Sequence, residues 1–212
     1  MKYKAGFIGT GNMASAIIKV MSEKVNGSDI YLSNRTEAKA SALAERYGAN
    51  VSTNVEIAKT CDYIILGIKP QMMKGVLDEI KPALAERDDF IIVSMAAGFT
   101  IDDYYEMISK ECPLIRIMPN TPVMVNEGVI LYCYKYIEKN KVDEFVNAIE
   151  KAGKLIDIDE ENHQLKLSIK EFTTDVKKTK REKIVETSKG FTNISSKLDS
   201  WINSKINEID TK

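Results

Sequence analysis

The sequence predicts an α/β protein with a doubly wound, mostly parallel sheet. Short apolar runs rich in β-forming residues alternate with amphipathic helical patterns up to about residue 152. The first apolar run ends in a glycine-rich turn that leads into a helix, and the run at 63–68 is continuously apolar, as in strands buried on both faces. Together these observations indicate a Rossmann-type domain over residues 1–158, followed by an atypical hairpin and helical extension over 159–212.

The elements follow from these patterns in chain order. Strands are predicted at residues 4–8, 30–33, 51–52, 63–68, 90–94, 114–118 and 128–134. Helices are predicted at 13–24, 36–47, 71–84, 100–110 and 138–152, with a helical turn starting at Asn54. Gly48 stands where a C-terminal glycine cap is expected, and Thr100 with Asp103 forms an N-terminal capping pattern.

Bulk properties exclude several classes of protein. The formal net charge of -1 supplies no overall field that would attract nucleic acid or a membrane surface. No apolar stretch approaches the roughly 20 residues of a membrane span, and the N-terminal apolar run is too short for a signal peptide. Cys61, Cys112 and Cys133 lack the spacing of a disulfide framework or a zinc site. We therefore expect a cytoplasmic protein without a bound metal.

The glycine turn after the first strand is the main candidate for a binding site. Gly9, Gly11 and Ala14 fill the G-x-G-x-x-G/A template of dinucleotide-binding domains. In that template the first glycine permits a tight turn, the second lets backbone approach a pyrophosphate, and the third small residue keeps helix and strand close. A glycine turn without a ligand is the alternative, but the position between a strand and a helix favours binding.

The end of the second strand bears on which dinucleotide is bound. NAD-specific domains usually carry an Asp or Glu there, which accepts hydrogen bonds from the ribose 2′-hydroxyl. This chain has Ser33-Asn34-Arg35-Thr36, with a guanidinium and no carboxylate. Because that charge suits a 2′-phosphate, we favour NADP over NAD, with a solvated loop arginine as the alternative.

Three further predicted strand ends carry candidate ligand contacts. Lys69 follows a buried strand directly before Pro70; the alternative to a ligand contact is an ordinary surface lysine. Small residues after Met95 let a planar ring approach the backbone, or else permit close helix packing. Asn120, between two prolines, either donates to a ligand or caps a turn. Strand ends meet at one edge of a parallel sheet, where ligands bind.

Taken together, these segments resemble the pyrroline-5-carboxylate reductases. The motifs G-F-I-G-T-G-N-M-A, S-N-R-T, I-K-P-Q, S-M-A-A-G and R-I-M-P-N-T-P occur in that family's order and spacing over about residues 3–158. The resemblance implies hydride transfer from NADPH to the cyclic imine of pyrroline-5-carboxylate, giving proline. The cofactor-binding residues that it implies are Ile8, Gly9, Thr10, Gly11, Asn12, Met13, Asn34, Arg35, Asn54, Gly67, Ile68, Lys69, Pro70, Met95, Ala96 and Ala97.

The resemblance stops near Asp159. In that family an all-helical domain follows, which opens with a motif of the type T-A-L-S-G-S-G-P-A-Y and supplies the substrate pocket and the dimer interface. After Asp159 this chain has Gly190 as its only glycine and no proline, so the motif is absent. We therefore expect NADPH binding with impaired reduction of pyrroline-5-carboxylate. The alternative is a non-catalytic NADP-binding or interaction module.

The tail has patterns of its own. Residues 154–158 and 164–169 alternate apolar and polar side chains around a turn at 159–163, which predicts a hairpin. This segment resembles the last two strands of an S1-type RNA-binding barrel; the alternative is a sheet-edge strand and an unrelated extension. The basic cluster at 177–183 is read as a solvated helix face rather than an RNA contact, and 194–209 as an amphipathic helix. His163 is expected to be a solvated turn residue.

Overall fold

A computed structural model describes residues 3–159 and 164–166. The described residues all belong to one compact unit, Met1–Ser168. Its strands are β1 (Ala5–Ile8), β2 (Ile30–Ser33), β3 (Asn50–Val51), β4 (Tyr63–Leu66), β5 (Ile91–Ser94), β6 (Leu114–Pro119), β7 (Gly128–Lys135), β8 (Gly153–Asp159) and β9 (Gln164–Lys166). Its helices are α1 (Asn12–Met21), α2 (Glu37–Tyr47), α3 (Asn54–Thr60), α4 (Met73–Ala85), α5 (Ile101–Ile108) and α6 (Lys139–Ala148).

The described strands form one sheet in the order β3-β2-β1-β4-β5-β6-β7-β8-β9. Strands β1 to β6 run parallel to one another, whereas β7 is antiparallel to β6 and β9 is antiparallel to β8. The chain builds outward from β1 to β3 and then returns to the other side of β1 with β4. The gap between β1 and β4 is therefore the point where the strand order reverses, which is where such sheets bind ligands.

Helices cover both faces of the sheet. Phe7, Ile65 and Val93 point to one face, where they pack in a single apolar cluster with Ile17 of α1 and Phe145 of α6. On the opposite face a side chain at Gly6 would collide with α3, since a Cβ there would lie 2.3 Å from Ile57 Cγ2. The predicted Rossmann-type, mostly parallel sheet is confirmed.

Several predicted boundaries were wrong by a few residues. Strand β4 ends at Leu66 rather than at residue 68, because the chain turns there toward Pro70, which has no N–H for a ladder. Helix α6 ends at Ala148 rather than at residue 152, because the backbone of Ile149 (φ -113°, ψ 9°) leaves the helical region before a short 3-10 turn. Apolar spacing continues through that turn, which explains the error.

The predicted caps are present. Gly48 ends α2 in the left-handed conformation at φ 66°. At the start of α5 the Thr100 hydroxyl accepts the N–H of Asp103 at 3.1 Å, and the Asp103 carboxylate accepts the N–H of Thr100 at 2.6 Å. These reciprocal bonds satisfy two amides that the first turn of a helix leaves unpaired.

The predicted hairpin is present as far as the structure describes it. Strands β8 and β9 pair antiparallel, with Ile158 opposite Leu165. The turn with His163, residues 167–169, the basic cluster at 177–183 and the apolar pattern at 194–209 lie outside the described residues. The likeness to an S1-type barrel and the domain boundary at residue 158 remain predictions.

The three cysteines lie in the interior. Cys61, Cys112 and Cys133 are all buried. Burial raises the pKa of the Cys61 and Cys112 thiols to about 11, because a thiolate loses its hydration there. Over residues 3–159 and 164–166, no helix combines the length and apolar character that crossing a membrane requires.

Candidate functional site

The turn after β1 requires glycine for two reasons. Gly9 has φ 97°, a conformation that side chains disfavour, and a Cβ there would lie 2.7 Å from both the Gly67 carbonyl oxygen and Ile68 Cγ2. A Cβ on Gly67 would in turn lie 2.7 Å from Ala14 Cβ. The β1 turn, the start of α1 and the end of β4 therefore pack together with no room for larger side chains.

The N-terminus of α1 is left bare by this turn. Gly11 is the N-cap and has no side chain with which to cap the helix, and the first turn contains no acidic residue. A Cβ on Gly11 would find only the Gly67 oxygen, at 4.0 Å, so space is open beside it. Because the first amides of a helix have no partner within it, this end suits an anion such as a pyrophosphate.

Backbone hydrogen bonds join the ends of four strands in a row. The Gly9 N–H donates to the Ser33 carbonyl at 2.8 Å, which links β1 to β2. The Gly67 N–H donates to the Ile8 carbonyl at 2.9 Å, and the Met95 N–H to the Leu66 carbonyl at 3.3 Å. The glycine turn and the predicted contacts at residues 67 and 95 thus lie side by side on one edge of the sheet.

The segment after β2 is held against the glycine turn by Asn34. Its Oδ1 accepts the Thr10 N–H at 3.1 Å, while its Nδ2 donates to the Thr36 carbonyl at 2.9 Å. The hydroxyl of Thr10 is buried and has no hydrogen-bond partner among the described residues. Arg35 is exposed, and within the described part of the chain no ion pair engages it.

Asn54 connects the end of β2 to α4. Its Oδ1 accepts the Ser33 hydroxyl at 2.6 Å, and its Nδ2 donates to Glu79 Oε2 at 2.8 Å. Asn54 was expected on the adenosine side, and the structure places it beside the β2 end. Sequence reasoning missed Glu79, because its link to Asn54 depends on how α4 packs against α3.

The segment after β5 is held in place by hydrogen bonds that involve two buried side chains. The Ser94 hydroxyl, fully buried, accepts the Ala96 N–H at 3.2 Å and is hydrogen-bonded to the Tyr104 hydroxyl of α5. Burial raises the pKa of Tyr104. These contacts fix the backbone at Ala96, and the next residue, Ala97, is exposed. Neither Ser94 nor Tyr104 belonged to the predicted set.

The remaining candidates differ in their exposure. Lys69 and Pro70 are exposed at the start of a short 3-10 turn, and Asn12 is exposed in the first turn of α1. Ile8 is buried, so it offers a ligand no side chain. Asn120 Oδ1 accepts the Val129 N–H at 2.8 Å, which supports its interpretation as a turn cap.

Comparisons with known proteins agree with this geometry. The family described as NADP oxidoreductase coenzyme F420-dependent matches residues 4–98. A pyrroline-5-carboxylate reductase of Staphylococcus epidermidis is 36% identical over 171 residues, covering 76% of this chain and 61% of that protein. One from Escherichia coli is 37% identical over 132 residues, covering 61% of this chain and 48% of that protein.

Solved structures give the same result. A pyrroline-5-carboxylate reductase from Coxiella burnetii superposes with a TM-score of 0.71 at 26% identity, over 76% of this chain and 61% of that one. The Plasmodium falciparum pyrroline carboxylate reductase, solved with NADP bound, gives 0.63 at 27% identity, over 76% and 59%. The chain spans 61% or less of the length of these four relatives. Over about three quarters of its own length, it is homologous to pyrroline-5-carboxylate reductases.

Proposed function

We propose that the edge formed by the ends of β1, β2, β4 and β5 binds NADP(H). The observation that carries the proposal is the Gly9 turn, whose left-handed conformation and contact with Gly67 leave the N-terminus of α1 open at the strand-order reversal. The buried Thr10 hydroxyl, which has no partner in the described residues, fits a site whose remaining polar contact is a phosphate oxygen.

The preference for NADP over NAD rests on charge. The β2 end presents Arg35, exposed and outside any ion pair of the described region, with no carboxylate between residues 33 and 36. A guanidinium binds a 2′-phosphate through charge-assisted hydrogen bonds, each worth about 1.5–3 kcal/mol. Asn34 supports binding of the 2′-phosphate indirectly, because its contacts with Thr10 and Thr36 hold the loop that carries Arg35 in place.

The reaction that we propose is reduction of the cyclic imine of pyrroline-5-carboxylate to proline, a step of proline biosynthesis. When bound, the reduced nicotinamide supplies the hydride. The residues after β5, where Ser94 and Tyr104 fix the backbone at Ala96, would line the nicotinamide end of the site. Gly67 and Met95 would line it as well.

Residues 1–158 place only the hydride donor. Reaction also needs an oriented acceptor in a water-poor site, and orientation is worth about 7–11 kcal/mol. Residues 159–212 lack the substrate-domain motif, so we expect slow or no reduction by this 212-residue chain. Steady-state turnover comparable to that of a full-length relative, followed by loss of NADPH absorbance, would contradict this expectation. A cytoplasmic location remains a prediction.

Isothermal titration with NADPH and with NADH tests the binding proposal. We expect one binding site per chain and tighter binding of NADPH than of NADH. Tighter binding of NADH would overturn the argument from Arg35, and no binding of either nucleotide would overturn the proposed function. Measurable binding without turnover would favour the alternative, a non-catalytic NADP-binding module.

A further inference from the structure

Glu79 lies at one end of a hydrogen-bonded chain that begins at the ribose end of the proposed site. A carboxylate only accepts hydrogen bonds, so Glu79 fixes the Asn54 amide with its nitrogen toward α4. The amide oxygen must then face Ser33, whose hydroxyl donates to it at 2.6 Å. The orientation of all three groups follows from the one carboxylate.

This chain decides what Ser33 offers to a ligand. A hydroxyl has one proton, and here Asn54 accepts it, which leaves only lone pairs on the Ser33 oxygen. Ser33 is largely buried, so its bond to Asn54 rather than bulk water sets the direction of the hydroxyl, and the 7% that stays exposed is the part open to a ligand. The last residue of β2 therefore acts as an acceptor, the role usually filled there by an Asp or Glu that binds a ribose 2′-hydroxyl.

A 2′-hydroxyl and a 2′-phosphate respond differently to such an acceptor. The hydroxyl can donate to it, whereas the phosphate carries only acceptors and negative charge and gains nothing. The Glu79 carboxylate adds a further negative charge one side chain away, beyond Asn54. Arg35 acts in the opposite direction, since its cation attracts the phosphate.

We propose that Glu79 is a positioning residue that lowers selectivity for the 2′-phosphate, acting through Asn54 on Ser33. The inference rests on the proposed function, because it assumes that the nucleotide ribose lies at the end of β2. Arg35 and Glu79 then set the NADPH-to-NADH ratio between them. Their opposition predicts a chain that prefers NADPH only moderately.

The test compares dissociation constants for NADPH and NADH in single variants of the full chain. Glu79→Gln keeps an acceptor for Asn54 but removes the charge, so selectivity for NADPH should rise about two- to fivefold, as for other exposed charges. Glu79→Ala also frees the amide and the Ser33 hydroxyl, so its increase should be larger. Asp78→Ala, which removes a neighbouring exposed carboxylate of α4 paired with Lys74, is the matched control and should leave the ratio unchanged.

A double-mutant cycle separates the hydrogen-bonded chain from a simple charge effect. If Glu79 acts through Ser33, then adding Ser33→Ala to Glu79→Ala should give a ratio that differs from the product of the single effects. A uniform loss of affinity for both nucleotides would indicate a structural role only, and would overturn the inference, as would an unchanged ratio in Glu79→Ala or independent effects in the cycle. Failure of the unmodified chain to bind either nucleotide would overturn the proposed function as well.

Discussion

The two ends of the proposed crevice are built by different means. At the pyrophosphate end, the turn at residues 9–13 is shaped by backbone and by side chains that are absent, with Gly9 and Gly67 in contact. At the ribose end, the shape comes from side-chain hydrogen bonds, with Asn54 between Ser33 and Glu79. The first construction admits no side chain at Gly9 or Gly67, whereas the second can be changed one residue at a time.

This difference separates the capacity to bind a dinucleotide from the choice among dinucleotides. The glycine turn meets groups that NAD and NADP share, so a change there should affect both cofactors alike. The ribose end meets the group in which they differ, so a change there should affect their ratio. Substitutions at the two ends therefore test the comparison directly.

The largest effect is expected for Gly9→Ala. The residue has φ 97°, and the new Cβ would lie 2.7 Å from the Gly67 oxygen, so the turn must deform. We expect loss of binding of both nucleotides in titration calorimetry and a free energy of unfolding lower by about 1–3 kcal/mol. Gly75→Ala is the control: a Cβ there meets nothing within 4 Å, and the helix should be slightly stabilised. Undiminished binding by Gly9→Ala would show that the turn does not shape the site.

Gly11→Ala should separate binding from folding. Its φ of -70° suits alanine, and the nearest atom to a Cβ is 4.0 Å away, so the free energy of unfolding should stay within about 0.5 kcal/mol. The methyl group would instead occupy the space proposed for the pyrophosphate. Affinity for both nucleotides should fall about 10- to 100-fold, the cost of hydrogen bonds to a charged group. Equal losses in stability and affinity would argue against this division.

Arg35→Ala should change the ratio of NADPH affinity to NADH affinity rather than weaken the binding of both nucleotides. Loss of the guanidinium should lower the affinity for NADPH about tenfold, because a charge-assisted contact is removed, while the affinity for NADH should change little. Lys39→Ala removes another exposed cation one turn into α2 and serves as the control for general charge. If both variants weaken NADPH equally, the long-range field rather than Arg35 itself contributes the preference.

The smallest effect is expected for Thr10→Val. The substitution removes a buried hydroxyl that has no partner in the described residues, so unfolding of the nucleotide-free chain should cost about 1 kcal/mol more. NADPH affinity should fall by up to about tenfold if the hydroxyl donates to phosphate, the low end of the range for a hydrogen bond to a charged group. Thr10→Ser, which keeps the hydroxyl, should bind as the parent does. Tighter binding by Thr10→Val would exclude this donor.

The sequence predicted the pyrophosphate end better than the ribose end, for a physical reason. A glycine requirement, a buried apolar run and a helix cap are local properties, so Gly9, Gly48 and the Thr100 cap were all recognisable. The contact between Asn54 and Glu79 joins two helices, α3 and α4, whose packing no local pattern encodes.

Local patterns also explain the errors. Ile68 was assigned to β4 because it extends an apolar run, although the strand stops before Gly67. Ile149 and Ala152 continue the spacing of α6 and are buried, yet the backbone between them forms a 3-10 turn. Burial therefore persists beyond the element that the spacing predicts, and boundaries are lost where the core continues.

The buried cysteines provide a practical means of following these changes. Since burial keeps the Cys61 and Cys112 thiols protonated up to about pH 11, and Cys133 is buried as well, the native chain should react slowly with thiol-directed dyes. A cysteine introduced at exposed Gly75 of α4, the helix that also carries Glu79, would then be labelled selectively. Fluorescence titrations of the labelled chain should therefore show little signal from the native cysteines, so none of them needs to be replaced first.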